Sequence, residues 1–139
     1  MRFFNEKILN ALYLSAVLIV IYFGVRWKLH DLYALDDGYA VWLAANLVKY
    51  YMREHDGEWP RSWEDLRDLY SIHGGGDGEW TFEKYQSRVF IDFTADPIKL
   101  RELSLQPGEV KFNVIRARWT GGEIGEGPNV IIRDHLRYK

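Results

Sequence analysis

Residues 8–25 read ILNALYLSAVLIVIYFGV, eighteen consecutive positions without a charge. At about 1.5 Å per helical residue the run is about 27 Å long, close to the ~30 Å hydrocarbon core of a bilayer. A core helix of a soluble domain is normally shorter and keeps one polar face. Here Asn10 and Ser15 are the clearly polar residues. A cleaved signal peptide would place small residues one and three positions before its cleavage site. The run is followed instead by Gly24-Val25-Arg26-Trp27-Lys28-Leu29-His30. Aromatic and basic flanks suit the two bilayer boundaries: Phe3 and Phe4 before the run, Tyr22, Phe23, Trp27, Arg26 and Lys28 at its end. The expectation is an uncleaved single-span anchor whose lipid-facing residues include Ile8, Leu12, Val17, Ile21 and Val25. Arg2 and Lys7 precede the span and Arg26 and Lys28 follow it, so the positive-inside count is nearly even. An N-terminus inside and a domain outside is the expected arrangement.

The chain has 139 residues, enough for one domain beyond the anchor. Residues 1–27 carry three basic residues and one acidic; the remainder carries 15 basic and 19 acidic. A mildly acidic domain without a basic run is poorly suited to nucleic acid, whose affinity rests on neutralising phosphates. The absence of cysteine excludes disulfides, thiolate metal sites and a cysteine nucleophile. The expected organisation is a membrane segment in residues 1–27, a connector in 28–38 and a soluble domain in 39–139.

The connector ends in Asp36-Asp37-Gly38, where either Asp could cap a new helix. Residues 39–55, YAVWLAANLVKYYMREH, hold helix formers with Asn46, Lys49 and Arg53 as one narrow polar strip. Asp56-Gly57 should end that helix. Pro60 enforces an extended entry to Ser62-Trp63-Glu64-Asp65, a capping-box pattern ahead of a short helix faced by Trp63, Leu66, Leu69 and Tyr70. Beyond a glycine-rich loop at 74–78 the period becomes alternating. Residues 87–94, 110–118 and 129–138 read as strands, His135 lying on the polar face of the last. Residues 96–103 fit either a short helix with Pro97 in its first turn or an edge strand. Residues 120–128 read as a glycine-rich hairpin loop. The expected fold class is α+β: a transmembrane helix, then a helix packed on a small antiparallel sheet of three or four strands.

This order resembles type IV pilins and the pseudopilins of type II secretion. The local match is residues 47–69: a Leu-, Val- and Tyr-rich helix end, then Gly57-Glu58-Trp59-Pro60 and Ser62-Trp63-Glu64-Asp65-Leu66. The resemblance implies a pilin-like layout, a secretion-system setting in a bacterial inner membrane, and assembly with other subunits or with copies of itself. The chain departs from that family at its start. No Gly precedes Phe3 or Phe4, and Glu6 lies before the apolar run, so prepilin-peptidase processing is not implied.

The four histidines form no His-x3-His pair. A His55/His73/Asp77 metal site and calcium binding by Asp77, Glu79, Glu123 or Glu126 are the metal alternatives, and neither has a recognised ligand spacing. The loop at 74–78 lacks the Lys-Ser/Thr of a phosphate cradle. Ala11 and Ser15 form a small-xxx-small pair. The expectation is no catalytic residue, no metal and no cofactor. Trp42, Tyr50, Tyr51, Trp59 and Trp63 are the candidate partner contacts, because Trp and Tyr are enriched where interfaces concentrate their energy. Trp42, Trp59, Trp63 and Trp80 could equally cluster as core. The expected function is a membrane-anchored, non-enzymatic interaction protein, or an accessory subunit of a membrane enzyme or transporter complex. Its partners would be the bilayer and other membrane subunits.

Overall fold

The computed structural model of the chain describes residues 2–74, 80–119 and 125–138, and side chains within those ranges except at 2–7, 31 and 32. The glycine-rich segments predicted at 74–78 and 120–128 therefore fall largely outside the described residues, as do Asp77, Glu79 and Glu123. The chain divides into two compact units, Met1–Tyr33 and Ala34–Lys139. Helix α1, Arg2–Glu54, supplies residues to both.

In the first unit the side chains of the apolar run are exposed. The Ser15 hydroxyl donates to the Ala11 carbonyl at 2.8 Å, so its polar group is satisfied within its own helix. Arg26 reaches back one turn and donates to the Tyr22 hydroxyl at 3.0 Å.

In the second unit α1 becomes a core element. Ala40, Val41, Ala44, Ala45, Leu47, Val48 and Met52 are buried. The helix ends where Asp56 and Gly57 take positive φ of 52° and 91° and the Gly57 amide donates to the Met52 carbonyl at 2.7 Å. A 3-10 turn at Glu64–Leu66 leads into α2, Arg67–His73. The Asp65 carboxylate accepts from the backbone amides of Arg61 and Ser62. That is the acid half of the expected capping box, with Trp63 rather than Ser62 in the cap position. Helix α3, Phe82–Arg88, is capped by the Thr81 side chain. Strand β1, Val89–Ile91, follows it directly. Helix α4, Pro97–Ser104, has Pro97 in its first turn and Asp96 as its cap. This decides the ambiguity of residues 96–103 in favour of a helix. Strand β2, Ile115–Ala117, pairs antiparallel with β1, with Phe90 opposite Arg116. Helix α5, Pro128–Arg137, closes the unit. The class is α+β with a two-stranded sheet.

Three expectations are corrected. The sheet has two strands, shorter than the alternating stretches suggested. Residues 129–137 are helix and Tyr138 follows as its cap, because Gly127-Pro128 sets a helix start and Pro128, Ile132 and Leu136 bury at four-residue spacing. Alternation would instead have put Asp134 on the apolar face. Residues 28–38 lie within α1, so neither Asp36 nor Asp37 caps a new helix. Asp37 is fully buried and its Oδ1 lies 2.8 Å from Arg88 Nη1; Asp36 Oδ2 lies 3.3 Å from Arg88 Nη2.

Asn129 does the joining that a third strand would have done. Its Oδ1 accepts from the Val114 and Ile115 amides at 2.9 and 3.1 Å, and its Nδ2 donates to the Ile115 carbonyl at 2.8 Å. The side chain thereby presents the donor and acceptor of a neighbouring strand to β2. At the other end of α5, Arg137 donates to the carbonyls of Ser104 and Gln106, tying it to the end of α4.

The densest packing is aromatic. Trp63 meets Tyr85 and Phe93 edge-on at 5.6 and 5.5 Å, and Tyr70 stacks on Tyr85 at 5.1 Å. The Tyr85 hydroxyl is buried and meets no hydrogen-bond partner among the described residues. Burial first, then the neighbouring Tyr70 and Tyr39, push its phenol well above the ordinary value of 10.0.

These contacts predict three outcomes for the full chain in detergent, read by near-ultraviolet circular dichroism on heating. Asp37→Asn leaves Arg88 facing a lost charge and should cost about 3–5 kcal/mol. Asn129→Ala should cost about 2–3 kcal/mol, the penalty of stranded β2 backbone groups. Tyr85→Phe removes an unsatisfied hydroxyl and should stabilise by about 1 kcal/mol at neutral pH. The raised Tyr85 pKa keeps the folded state protonated while the unfolded state ionises above pH 10.0, so native stability falls as pH rises through that range, and Tyr85→Phe should reduce the loss.

Candidate functional site

The polar strip of α1 does not open freely to water. Asn46, Lys49 and Arg53 form one wall of a groove of about 690 Å³, with Trp42 on the same wall. The opposite wall is Ile131, Asp134, His135 and Tyr138, with Glu126 at its margin. The helical spacing of 42, 46, 49 and 53 on α1 puts these four on one face. Positions 131, 134, 135 and 138 also share one side, of α5 and of the residue that follows it, because each lies three or four positions from the next turn's member.

The α1 wall is internally braced. Asn46 Nδ2 donates to the Trp42 carbonyl at 2.9 Å, and Lys49 Nζ donates to Asn46 Oδ1 at 2.8 Å while lying 5.3 Å from the Tyr50 ring centre. Arg53 is exposed at the end of the strip. Across the groove, Asp134 takes an ion pair from Arg133 at 2.8 Å. Trp42 remains 40% exposed and Tyr138 88% exposed, so each flanks the groove with an open aromatic face. Two cations, two carboxylates and two accessible rings thus border one groove.

The five candidate contact residues separate. Trp42 lies in the groove. Tyr50 and Tyr51 are half-buried and stack on His73 and His55 at 4.4 and 4.0 Å. Trp59 is core: its indole N–H donates to the Asp92 carbonyl at 2.8 Å, and its remaining edge lines a small hollow of about 310 Å³ with Glu58, Arg61 and Phe93. Trp63 is the half-buried hub of the aromatic core. Of the four tryptophans expected as a possible core cluster, Trp59 is in the core, Trp63 and Trp80 pack against it, and Trp42 stays largely exposed. The five anchor residues Ile8, Leu12, Val17, Ile21 and Val25 are all exposed on α1.

The two histidines of the metal alternative are each held by a different tyrosine, and Asp77 lies outside the described residues. Among the described residues no three His, Asp or Glu side chains gather as metal ligands. His135, expected to be exposed on a strand, is half-buried on α5 with its Nε2 out of contact with solvent. The α5 wall was not found from the sequence because residues 129–138 read as a strand. Gly127-Pro128 was the signal that would have revealed it.

Helix α1 is long and apolar enough to cross a membrane, and its most apolar window has no side chain covered by protein. No protein-family model, no curated protein and no solved structure matches the chain.

Proposed function

We propose that this chain is a single-span, membrane-anchored, non-enzymatic interaction protein that receives a partner in the groove between α1 and α5. The observation that carries the reading is the uncharged run at 8–25, which leaves its apolar side chains exposed on a helix with nothing of the protein over them. Exposing such a stripe to water forfeits roughly 1.5–3 kcal/mol for each large side chain, and a bilayer recovers it. The domain would lie outside the cytoplasm at a bacterial inner membrane, and the partner would be another membrane-complex subunit.

A filament- or pseudopilus-subunit form of the same role is favoured by one observation: a single helix holds both the exposed apolar run and the buried core residues 40–52. In that form the partner is a second copy of the chain. An accessory subunit of a larger membrane enzyme or transporter is the other form.

Extraction in mild detergent, with a photo-crosslinking amino acid at Trp42 or Tyr138, tests the groove and identifies the partner by mass. Crosslinks from both positions to the same protein, lost on Lys49→Glu/Arg53→Glu with folding retained, are the expected result. A monomeric, uncrosslinked protein would remove the interaction reading.

A further inference from the structure

The two walls of the α1–α5 groove carry opposite charge and do not satisfy it on each other. Lys49 and Arg53 stand on the α1 wall, Asp134 and Glu126 on the α5 wall and its margin. Among the described residues no ion pair crosses the groove. Lys49 Nζ gives one N–H to Asn46 Oδ1 and has others left to donate. Asp134 accepts from Arg133 Nε on Oδ1 and keeps further accepting capacity on a side chain that is 40% exposed. Arg53 and Glu126 are both exposed, and neither has an ion-pair partner among the described residues. Trp42 and Tyr138 add an open ring to each wall. Each wall therefore holds what the opposite wall would take, and the groove keeps the two apart.

Symmetry turns this pattern into a choice of partner. Residues 42, 46, 49 and 53 line the groove along α1, so the groove runs with that helix. Consider a second copy of the chain laid mouth to mouth on the first. A two-fold axis along the groove exchanges the two walls and leaves every residue at its own height. The α1 wall of one copy then faces the α5 wall of the other, and each cation meets the copy of the carboxylate that stands across its own groove. The contact is isologous, the commonest kind in symmetric assemblies. A two-fold axis across the groove would instead set Lys49 and Arg53 against the same residues of the copy, an arrangement that like charges oppose. The charges thus admit one mouth-to-mouth relation, in which the two 42–53 segments run parallel.

Exposed ion pairs add little affinity by themselves. Their part is to set the register, while the rings supply contact area. In this relation Trp42 of each copy comes against the wall that carries Ile131 and Tyr138 in the other. Trp, Tyr and Arg are the side chains in which interfaces concentrate their energy.

We propose that the occupant of the groove is a second copy of this chain, related by a two-fold axis along the groove, with Lys49 and Arg53 of each copy against Glu126 and Asp134 of the other. The proposal rests on the groove being a partner site and names that partner. Both grooves are filled at once, so the contact stops at two copies.

Charge reversal tests the pairing on the full chain in mild detergent, with sedimentation velocity of differently tagged chains as the readout. Lys49→Glu/Arg53→Glu sets carboxylates against carboxylates, and Glu126→Lys/Asp134→Lys sets cations against cations. Each variant alone should dimerise about a hundredfold more weakly than the unaltered chain. Mixed together, the two should form a one-to-one heterodimer of near-native affinity, because both of its contacts are complementary again. Circular dichroism confirms that each variant is folded. Should the Asp134 exchange unfold the chain, Arg53→Glu mixed with Glu126→Lys repeats the test on two residues that hold no ion pair in the fold. A photo-crosslinker at Trp42, in a mixture of isotopically light and heavy chains, should join light chains to heavy ones within residues 126–138. A dimer that both reversals leave at native strength, or a mixture of the two that stays monomeric, overturns the pairing. A monomeric chain that crosslinks from 42 and 138 to a different protein overturns the second copy and leaves the partner site standing. A monomer that crosslinks to nothing overturns both.

Discussion

A buried carboxylate must be met by a positive group or it will not stay buried. Asp37 sits in the middle of α1, fully enclosed, and Arg88 meets it from the junction of α3 and β1. Desolvating both charges costs several kcal/mol, and their attraction offsets this only in good geometry. The pair therefore fixes geometry more than it adds stability. It sets the turn of α1 that faces the core and the point where α3 gives way to β1. Arg88 also lies against Trp80, and its carbonyl accepts from the Arg118 amide beside the β1–β2 pairing.

Helix α1 contributes residues to both units, exposed along the apolar run and largely buried at 40–52. Its residues 8–25 carry no charge and are almost all apolar. Its later residues, 40–52, are apolar on most of the circumference and are covered by protein, with Asn46, Lys49 and Arg53 as the interruption. The groove exists because α5 stands across from that interruption instead of covering it. Asn129 and Arg137 hold the two ends of α5 by side-chain bonds to backbone, which leaves the middle of the helix free to present Ile131, Asp134 and His135.

The local rules that could be read in the sequence were those set by a few adjacent residues. Asp56-Gly57 ends α1, Asp96-Pro97 begins α4, and the apolar run at 8–25 stands alone. What escaped depends on distant partners. Asp37 looked like a cap because a carboxylate after a polar stretch usually is one; only Arg88, 51 residues away, makes it a core residue. Residues 129–138 alternate well enough for a strand, since positions 132 and 136 share a face in either period. The groove was half legible: its α1 wall was the predicted polar strip, and its α5 wall was hidden by the mistaken period.

The proposed function depends on residues 8–25 residing in lipid. Alkaline carbonate extraction of membranes from cells expressing the full chain measures this most directly. The account predicts that the protein stays in the membrane pellet, and that Leu18→Arg, which places a charge at the middle of the run at roughly 3 kcal/mol, releases a substantial share of it. Quantitative recovery of the unaltered chain in the carbonate supernatant, or in a detergent-free soluble fraction, would contradict it.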